Sequence, residues 1–422
     1  MLLVAIICSL RLRSVQKWLI YRVLARLEQK YEGKISLGGV YIRWPHRVEL
    51  SRLLILDPLN DTLLYAPTAS FSANKLNIDE SKLNFGSVVL EDPVIRLKQL
   101  PSGKMNVDLL LEALSSSDTS ATAKPFSLSA NEIILHKGLF QYKKFGSLNK
   151  PGRVNWDDIL LHHLEISVKH FEYNESTIQG RIELLSCAEQ SGFVINKLSS
   201  GVVVDSAGIH TDHLTLLTGN SRISSVKATV TGLKPLPGQP VDPMLDLVLG
   251  SDTYLSPIDL TLLTGINIGF TIPLDISGSF TGSLKNARLL NASLNWPELF
   301  SFEGDMVYNF PGALNKAFFD LKTRSLVLNV QNLINDVLSG QIPGFELKVP
   351  EIIQNLNVIE YNGVFTGTFE NFMTSGNWLI ADGEITTNLD VKKNVPMPGY
   401  NIKGSVAATD LNPDIWLKKT TG

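Results

Sequence analysis

The chain has 422 residues, of which 44% are hydrophobic and 19% are charged, and its formal net charge is −3. This composition excludes a disordered chain, and nucleic-acid binding is not indicated, because no basic block with interleaved aromatic residues appears beyond the N-terminus. The two cysteines, Cys8 and Cys187, are far apart in the sequence, so a disulfide framework is also excluded.

The N-terminus combines two membrane signals. The run MLLVAIICSL is apolar but about half as long as a bilayer-spanning helix. A stretch of helical period follows it, with interfacial aromatic residues and a basic stripe. Because stable membrane attachment usually takes two signals, residues 1–33 are predicted to be a membrane-anchor segment and a basic amphipathic helix. The residues expected to hold the anchor are Leu2, Leu3, Ile6, Ile7, Trp18, Tyr21, Arg22 and Arg26. The alternative is an ordinary amphipathic helix that caps a β-rich body.

After Gly33 the apolar period changes from helical to alternating, which is typical of strands. Residues 34–114 are predicted to form a first β segment that ends in a short helix, NVDLLLEAL at 106–114. The small and polar stretch 115–125 is predicted to be a linker. From 126 to 422 the alternating runs continue, interrupted by helical turns at SPIDLTLLTG and VQNLINDVL. These strands outnumber those of one sandwich and show no closing pattern, so an elongated β-repeat region is predicted.

Two segments of this region, ISGSFTGSL and YNGVFTGTF, place glycines and bulky residues on one strand face. The first copy carries Ile276, Gly278, Phe280, Gly282 and Leu284, and the second carries Tyr361, Gly363, Phe365, Gly367 and Phe369. The offset between 278 and 363 is 85 positions, and a fainter copy, NIKGSVAA, places a glycine at 404. A shared one-face pattern at constant spacing predicts a repeated supersecondary unit.

No catalytic or metal-binding motif accompanies these strands. The sequence lacks HExxH, CxxC, GxSxG, a P-loop and a GxGxxG after a strand. His162 and His163 are adjacent, and His163 and His170 have an odd separation, so on a regular strand each pair points to opposite faces. We therefore predict no metal, no cofactor and no enzymatic activity.

The order of features resembles the TamB and AsmA-like family of Gram-negative envelope proteins. The resemblance is carried by VQKWLIYRVLARLEQKYEGKISLGGVYI, then RVELSRLLILDPLNDTLLYAPTASFSANKLNI, then SVVLEDPVIRLKQLPSGKMNVDLLLEAL. GIHTDHLTLLTGNSRISSVKATVTG is similar to the recurrent strands of that family, and the Gly-Phe-Gly copies fit its β-repeats. No counterpart of the family's C-terminal domain is evident before WLKKTTG, so we expect the N-terminal portion of a longer protein.

The resemblance implies a long, twisted β-sheet that curls into an open groove with an apolar inside. It implies an anchor in the inner membrane, a body in the periplasm and a role in outer-membrane biogenesis and intermembrane phospholipid transport. The implied partners are the inner membrane, phospholipid acyl chains and an outer-membrane barrel-type protein that is contacted through the missing C-terminal region.

On this interpretation Ile276, Phe280, Leu284, Tyr361, Phe365 and Phe369 line the groove. Their glycine neighbours would let acyl chains approach the backbone or let the sheet bend. A mean hydropathy of +0.09 favours this interpretation, because it indicates apolar surface that an apolar partner covers. The alternative is that the aromatic residues fill a dry core and the glycines mark bulges.

Two other classes of function remain open on the sequence alone. A surface adhesin or structural β-protein would carry its apolar residues in a closed core. A β-solenoid carbohydrate-active enzyme would bring two carboxylates together in a cleft.

Overall fold

The computed structural model describes residues 31–43, 47–77, 82–114, 127–174, 176–233, 243–265, 272–283, 285–311, 316–337, 356–380, 383–394 and 399–410. The prediction of a mostly β protein with large twisted sheets is confirmed. All of the predicted anchor residues lie outside the described residues, as does Leu284. Within the described ranges, no helix has the length and apolar character needed to cross a bilayer.

The chain divides into two compact units. The first holds the described residues up to Gly219 together with Leu262–Gly265, and the second holds Asn220–Thr261 and the described residues from 272 onward. This boundary falls inside the 126–422 region. The predicted linker at 115–125 lies outside the described residues, and strands from both sides of it pair in one sheet.

The described residues of the first unit form eleven strands and a helix. In chain order they are β1 (Lys34–Ser36), β2 (Gly39–Arg43), β3 (Arg47–Leu56), β4 (Thr62–Asn77), β5 (Lys82–Glu91), β6 (Val94–Lys98), α1 (Asn106–Leu114), β7 (Ser127–Lys143), β8 (Asp158–Asn174), β9 (Thr177–Glu189), β10 (Val194–Val204) and β11 (Gly208–Thr218). β1 and β2 both pair with β3, and β4 follows β3. β5 and β6 lie end to end between β4 and β7, and β8 to β11 continue in chain order. The strand pairs described for this unit are antiparallel, except that β5 and β6 run parallel to β7.

Helix α1, predicted from the sequence at 106–114, packs on the apolar face of this sheet through Leu109 and Leu110. Its start is fixed by Asn106, which is fully buried and whose Oδ1 accepts the backbone N–H of Lys98 at 3.0 Å. The Nδ2 of Asn106 donates to the carboxylate of Asp57 at 3.3 Å. Since buried polar groups are costly unless hydrogen-bonded, this network fixes the helix at one position on the sheet.

The second unit is an antiparallel sheet with short helical turns. Its elements are β12 (Arg222–Thr231), β13 (Met244–Leu249), β14 (Tyr254–Leu255), α2 (Pro257–Thr264), which begins in this unit, β15 (Leu274–Gly282), β16 (Asn286–Trp296), β17 (Phe300–Asn309), β18 (Phe318–Asn329), α3 (Val330–Asn332), a π-helical turn (Leu333–Val337), β19 (Val358–Gly367), β20 (Asn371–Ile380), β21 (Gly383–Lys393) and β22 (Tyr400–Thr409). β13 and β14 lie between β12 and β15, and the later strands pair in chain order. The helical turns predicted at SPIDLTLLTG and VQNLINDVL are confirmed as α2 and as α3 with its π-helical turn.

Bulges reset the alternation in β8, so the regular strand on which the facing of its histidines was predicted is not what the structure has. Leu161 and Leu164 are three positions apart, yet both belong to the same apolar cluster. His162 and His163 therefore both lie between two inward-facing residues, and His163 adopts a positive φ of 53°. A regular strand would have separated the two histidines onto opposite faces. Among the described residues, no group of three or more His, Cys, Asp or Glu side chains is placed to hold a metal ion.

Candidate functional site

The second unit carries a continuous row of apolar side chains across its strands. Cross-strand pairing joins Leu247, Phe280, Leu289, Met306, Leu321, Phe365, Thr374, Leu389 and Gly404, one residue from each of β13 and β15 to β22. Thr374 is the one polar member, and the row contains no charged side chain. Because residues two apart share a face, parallel rows on either side extend this surface, which we call the apolar face.

The opposite surface of the same strands is polar. The row one residue away consists of Asp246, Thr281, Arg288, Val307, Asp320, Thr366, Met373, Asp390 and Lys403. Seven of these nine residues are polar or charged, with Val307 and Met373 as the exceptions, and such a division is typical of an antiparallel sheet that meets water on one side.

Side chains in the middle of the apolar face are partly accessible. Phe280, Leu289, Met306, Leu321 and Phe365 are all of intermediate burial. Each described strand of this unit has its main backbone contacts with the strands next to it in the sheet. At one end of the strands, α3 and the π-helical turn pack on the face, where Val330 and Ile334 join a small cluster with Ile359 and Ile380.

The predicted groove residues occupy this face in different ways. Phe280 and Phe365 lie in its central row, and Ile276, four residues before Phe280 on the same strand, pairs with Leu294. Strand β19 ends at Gly367, so Phe369 lies beyond the strand. The Phe369 ring packs on the ring of Phe319, with the two centroids 5.5 Å apart.

Tyr361 lies on the apolar face but is itself buried, with 4% of its surface exposed. Its hydroxyl donates to the carbonyl of Val364 at 2.8 Å and lies 3.1 Å from the Thr374 hydroxyl. A Cβ atom built at Gly363 would stand 2.7 Å from that hydroxyl, and one built at Gly376 would stand 2.8 Å from the ring. The two glycines therefore make room for the Tyr361 ring, which lies flat over them.

The first repeat has a different surface at Gly278, the counterpart of Gly363. Gly278 has a positive φ of 123°, and the atoms nearest to a Cβ built there are backbone atoms of β16. Asn291 and Ala292 oppose Gly278 in a β-bulge, where the register of β15 and β16 shifts. A small notch with room for about one water molecule lies above them. Its lining is apolar and includes Leu249, Ile276, Gly278, Phe280, Leu289 and Ala292.

The repeat predicted from the sequence is visible in the hairpins that end both strands. Gly282 and Gly367 have φ values of 134° and 141°, and both lie against the first residues of the next strand. In the first hairpin Ser283 and Asn286 exchange backbone hydrogen bonds of 2.8 and 3.2 Å, and in the second Thr368 and Asn371 do so at the same two distances. The offset of 85 positions therefore relates two hairpins of the same geometry.

The first unit carries a comparable apolar row that we did not identify from the sequence. It joins Val40, Leu50, Ala69, Leu90, Leu135, Ile166, Leu185, Leu198 and Leu216 through successive cross-strand pairs. The alternation of apolar residues in RVELSRLLIL and SVVLEDPVIRL is a signal that could have predicted this row. It was missed because these strands lack the glycine repeat that drew attention to the second unit.

Comparison with protein-family models, with curated proteins and with solved structures gives no match for the chain. The chemistry of the apolar face is therefore the available guide to function.

Proposed function

We propose that the protein is a non-enzymatic carrier of lipid acyl chains, in which the apolar face forms the wall of an open groove. In this proposal the N-terminal segment holds it at the inner membrane, and the body lies in the periplasm. It serves outer-membrane biogenesis and phospholipid transport between the membranes, as the resemblance to the TamB and AsmA-like proteins implies.

The observation that supports the proposal is the uncharged row from Leu247 to Gly404. A hydrocarbon chain has no hydrogen-bonding groups, so its ideal contact surface is apolar, continuous and free of charge. Large apolar patches on a soluble surface mark interaction sites for apolar partners. The charged residues next to this row, such as Asp320 and Asp390, belong to the row of the opposite face.

An adhesin or structural β-protein would bury the same side chains in a closed core. In such a core Phe280 and Phe365 would be fully buried between two layers, as close-packed interiors require. Their intermediate burial favours a face that an apolar ligand completes.

The experiment compares Phe365→Asp with Val364→Asp in the full chain. Phe365 lies on the apolar face, whereas the neighbouring Val364 lies on the polar face and is 45% exposed. A charge on a hydrocarbon-binding wall must be desolvated when the chain binds, so Phe365→Asp is expected to lose co-purifying lipid. Val364→Asp is expected to keep it. Lipid is measured by mass spectrometry after purification in a defined detergent.

Thermal unfolding separates loss of binding from loss of folding. Phe365 stacks on Phe372 with ring centroids 5.1 Å apart, so some stability is lost with the ring. The loss should be below the about 3–5 kcal/mol that deletion of a fully buried Phe costs. Absence of lipid from the wild-type protein, or equal lipid in both variants, would contradict the proposal.

A further inference from the structure

We propose that the loop between β7 and β8, residues 144–157, makes a contact with the surface of an anionic lipid bilayer. The loop and the residues that hold it in place belong to the first unit. The contact is therefore independent of the carrier function proposed for the apolar face of the second unit, and the two can fail separately.

Three large apolar side chains of this loop are exposed to water. Phe145 is 62% exposed, Leu148 is 77% exposed and Trp156 is 59% exposed. Among the described residues, Leu148 is the most exposed large apolar side chain. Single exposed apolar residues are ordinary on a protein surface, but a group of them in one short segment marks an interaction site.

Hydrogen bonds between the two arms of the loop bring these residues close together. The backbone N–H of Lys144 donates to the carbonyl of Asp157 at 2.8 Å. The Nδ2 of Asn155 donates to the carbonyl of Leu148, also at 2.8 Å. Each of the three apolar residues either makes one of these bonds or adjoins a residue that does, so all three lie at neighbouring positions along the two arms.

The end of helix α2 holds the loop in place. Three successive carbonyl groups there accept hydrogen bonds from the loop: Leu262 from the Val154 N–H at 2.8 Å, Leu263 from the Trp156 indole N–H at 3.1 Å and Thr264 from the Arg153 guanidinium at 3.3 Å. The last carbonyls of a helix lack partners within it, so donors are favoured at this position. Val154 is buried, whereas Trp156 has its N–H bonded and its ring exposed. Trp is a residue type favoured at the membrane–water interface.

The segment around these side chains is basic, although the whole chain has a formal net charge of −3. Residues 143–158 hold four cationic and two anionic side chains, a net charge of +2: Lys143, Lys144, Lys150, Arg153, Asp157 and Asp158. The Asp157 carboxylate is shared by the ammonium groups of Lys144 and Lys150, at 3.7 and 2.8 Å, so it offsets only half of their charge. Anionic headgroups attract such a cluster, by about fivefold in binding for each basic residue near the surface.

Exposed apolar side chains and a basic segment in one loop fit the surface of an anionic bilayer. Binding at such a surface grows with the buried apolar area and with the attraction to anionic lipids, and the loop offers both. The apolar side chains would enter the boundary between headgroups and acyl chains, while the basic side chains stay among the phosphates.

The test places an environment-sensitive fluorophore at Asn149→Cys, an exposed position that leaves the three apolar side chains intact. Cys187 is buried, so a Cys8→Ser background directs the label to the new cysteine. The labelled full chain is mixed with vesicles of phosphatidylcholine, either alone or with phosphatidylglycerol. We expect a blue shift on the anionic vesicles and a much smaller one on the neutral vesicles. The same label at Leu59→Cys, in the turn between β3 and β4, should not respond, which shows that the signal is local and does not come from attachment through the N-terminus.

Matched variants test the two features of the loop. Lys144→Gln should lower the ratio of inserted to free loop about fivefold. Lys104→Gln should leave it unchanged, since Lys104 lies elsewhere in the first unit and its side chain is equally exposed, at 54%. Leu148→Ser should lower the ratio about tenfold, and Leu59→Ser should not. Both leucines are exposed, so thermal unfolding of these variants should match that of the wild type.

Equal blue shifts on neutral and anionic vesicles, equal shifts for the labels at 149 and 59, or an unchanged ratio in folded Lys144→Gln would overturn the proposal. A response to soluble polyglutamate as large as that to anionic vesicles would also overturn it, and would indicate an acidic protein as the partner. If the label at 149 responds to neither kind of vesicle, the contact is refuted. The carrier function is unaffected by that result, because co-purifying lipid in Phe365→Asp tests it separately.

Discussion

The carboxylate of Asp305 accepts the backbone N–H of Asn291 at 2.8 Å, across the pair of strands β16 and β17. Asn291 has a positive φ of 48° and lies where the register between these strands shifts. A bulge leaves a backbone group outside the ladder of hydrogen bonds, and here a side chain from the neighbouring strand supplies the missing acceptor.

Removing this acceptor should weaken the bulge. We expect Asp305→Ala to lower the free energy of unfolding by about 1 kcal/mol, the usual size for an exposed hydrogen bond, and to speed hydrogen exchange of the Asn291 amide. Glu303→Ala is the control, since Glu303 lies on the same face of β17, two positions away. Urea denaturation and amide exchange measure the two effects. Unchanged exchange at Asn291 in the Asp305 variant would contradict this role.

A second bulge gives the first unit a pH dependence. One oxygen of Glu165 accepts the backbone N–H of Lys137 at 2.9 Å, and the other lies 2.9 Å from Nδ1 of His136. Burial raises the pKa of the Glu165 carboxyl, but the hydrogen bonds from His136 and Lys137 outweigh burial and leave that pKa below its ordinary value.

A carboxyl with a lowered pKa in the folded state stabilises the fold above its unfolded pKa of about 4.3, and this stability is lost as the pH falls through the folded value. Wild-type protein should therefore lose more stability than Glu165→Gln as the pH is lowered from about 5 to about 3. Urea midpoints at each pH measure the difference. Glu132→Gln, at a partly buried position on β7, is the control for the removal of one carboxylate from the same strand pair. Parallel curves for wild type and Glu165→Gln would exclude the carboxylate as the source.

The two repeat hairpins should respond alike to alanine. A Cβ atom at Gly282 would stand 2.3 Å from a carbonyl oxygen, and one at Gly367 would stand 2.2 Å from the matching oxygen. Backbone strain of this kind costs about 1–3 kcal/mol, so Gly282→Ala and Gly367→Ala should each lower stability by that order. Gly103 has a positive φ of 86° but open space around it, so Gly103→Ala should cost less. Thermal unfolding checks the order, and a mild effect at only one hairpin would contradict their equivalence.

Cys187 should be unreactive in the folded protein. It is 5% exposed, and burial, together with the nearby charge of Glu189, raises the pKa of its thiol to about 11. The thiolate is the reactive form, so at pH 8 only about a thousandth of the folded molecules carry it. In a Cys8→Ser background, iodoacetamide should modify Cys187 rapidly in urea and very slowly without it. Native alkylation at the rate of a free cysteine would show that the site opens.

Alternation in the sequence predicted the strands well, because apolar residues at every second position bury one face of a sheet. The short helix at 106–114 was also predicted, since its apolar residues follow a different period. The repeat of 85 positions predicted two equivalent hairpins, and Gly282 and Gly367 confirm them.

Bulges and the role of Tyr361 could not be predicted in this way. A bulge adds one residue without changing composition, so the facing of His163 and Asn291 depends on pairing across strands. From the alternation alone, Tyr361 is expected to be one more exposed residue of the apolar face. Its burial follows from Gly376 on the neighbouring strand, which the sequence alone does not align with it. The unit boundary after Gly219 likewise follows from contacts and carries no signal in composition.

The parallel pairing of β5 and β6 with β7 has a consequence for the order in which the first unit folds. Successive antiparallel strands can join as hairpins as soon as each emerges, since their contacts are local. β5 and β6 must instead wait for β7, which begins after α1 and a long connection at Ser127. Until then the free side of β5 and β6 is an unpaired edge, the kind of edge that recruits other chains. The time between the synthesis of Lys98 and that of Lys143 is therefore the interval in which this unit is most exposed to misassembly and in which a chaperone would be of most use.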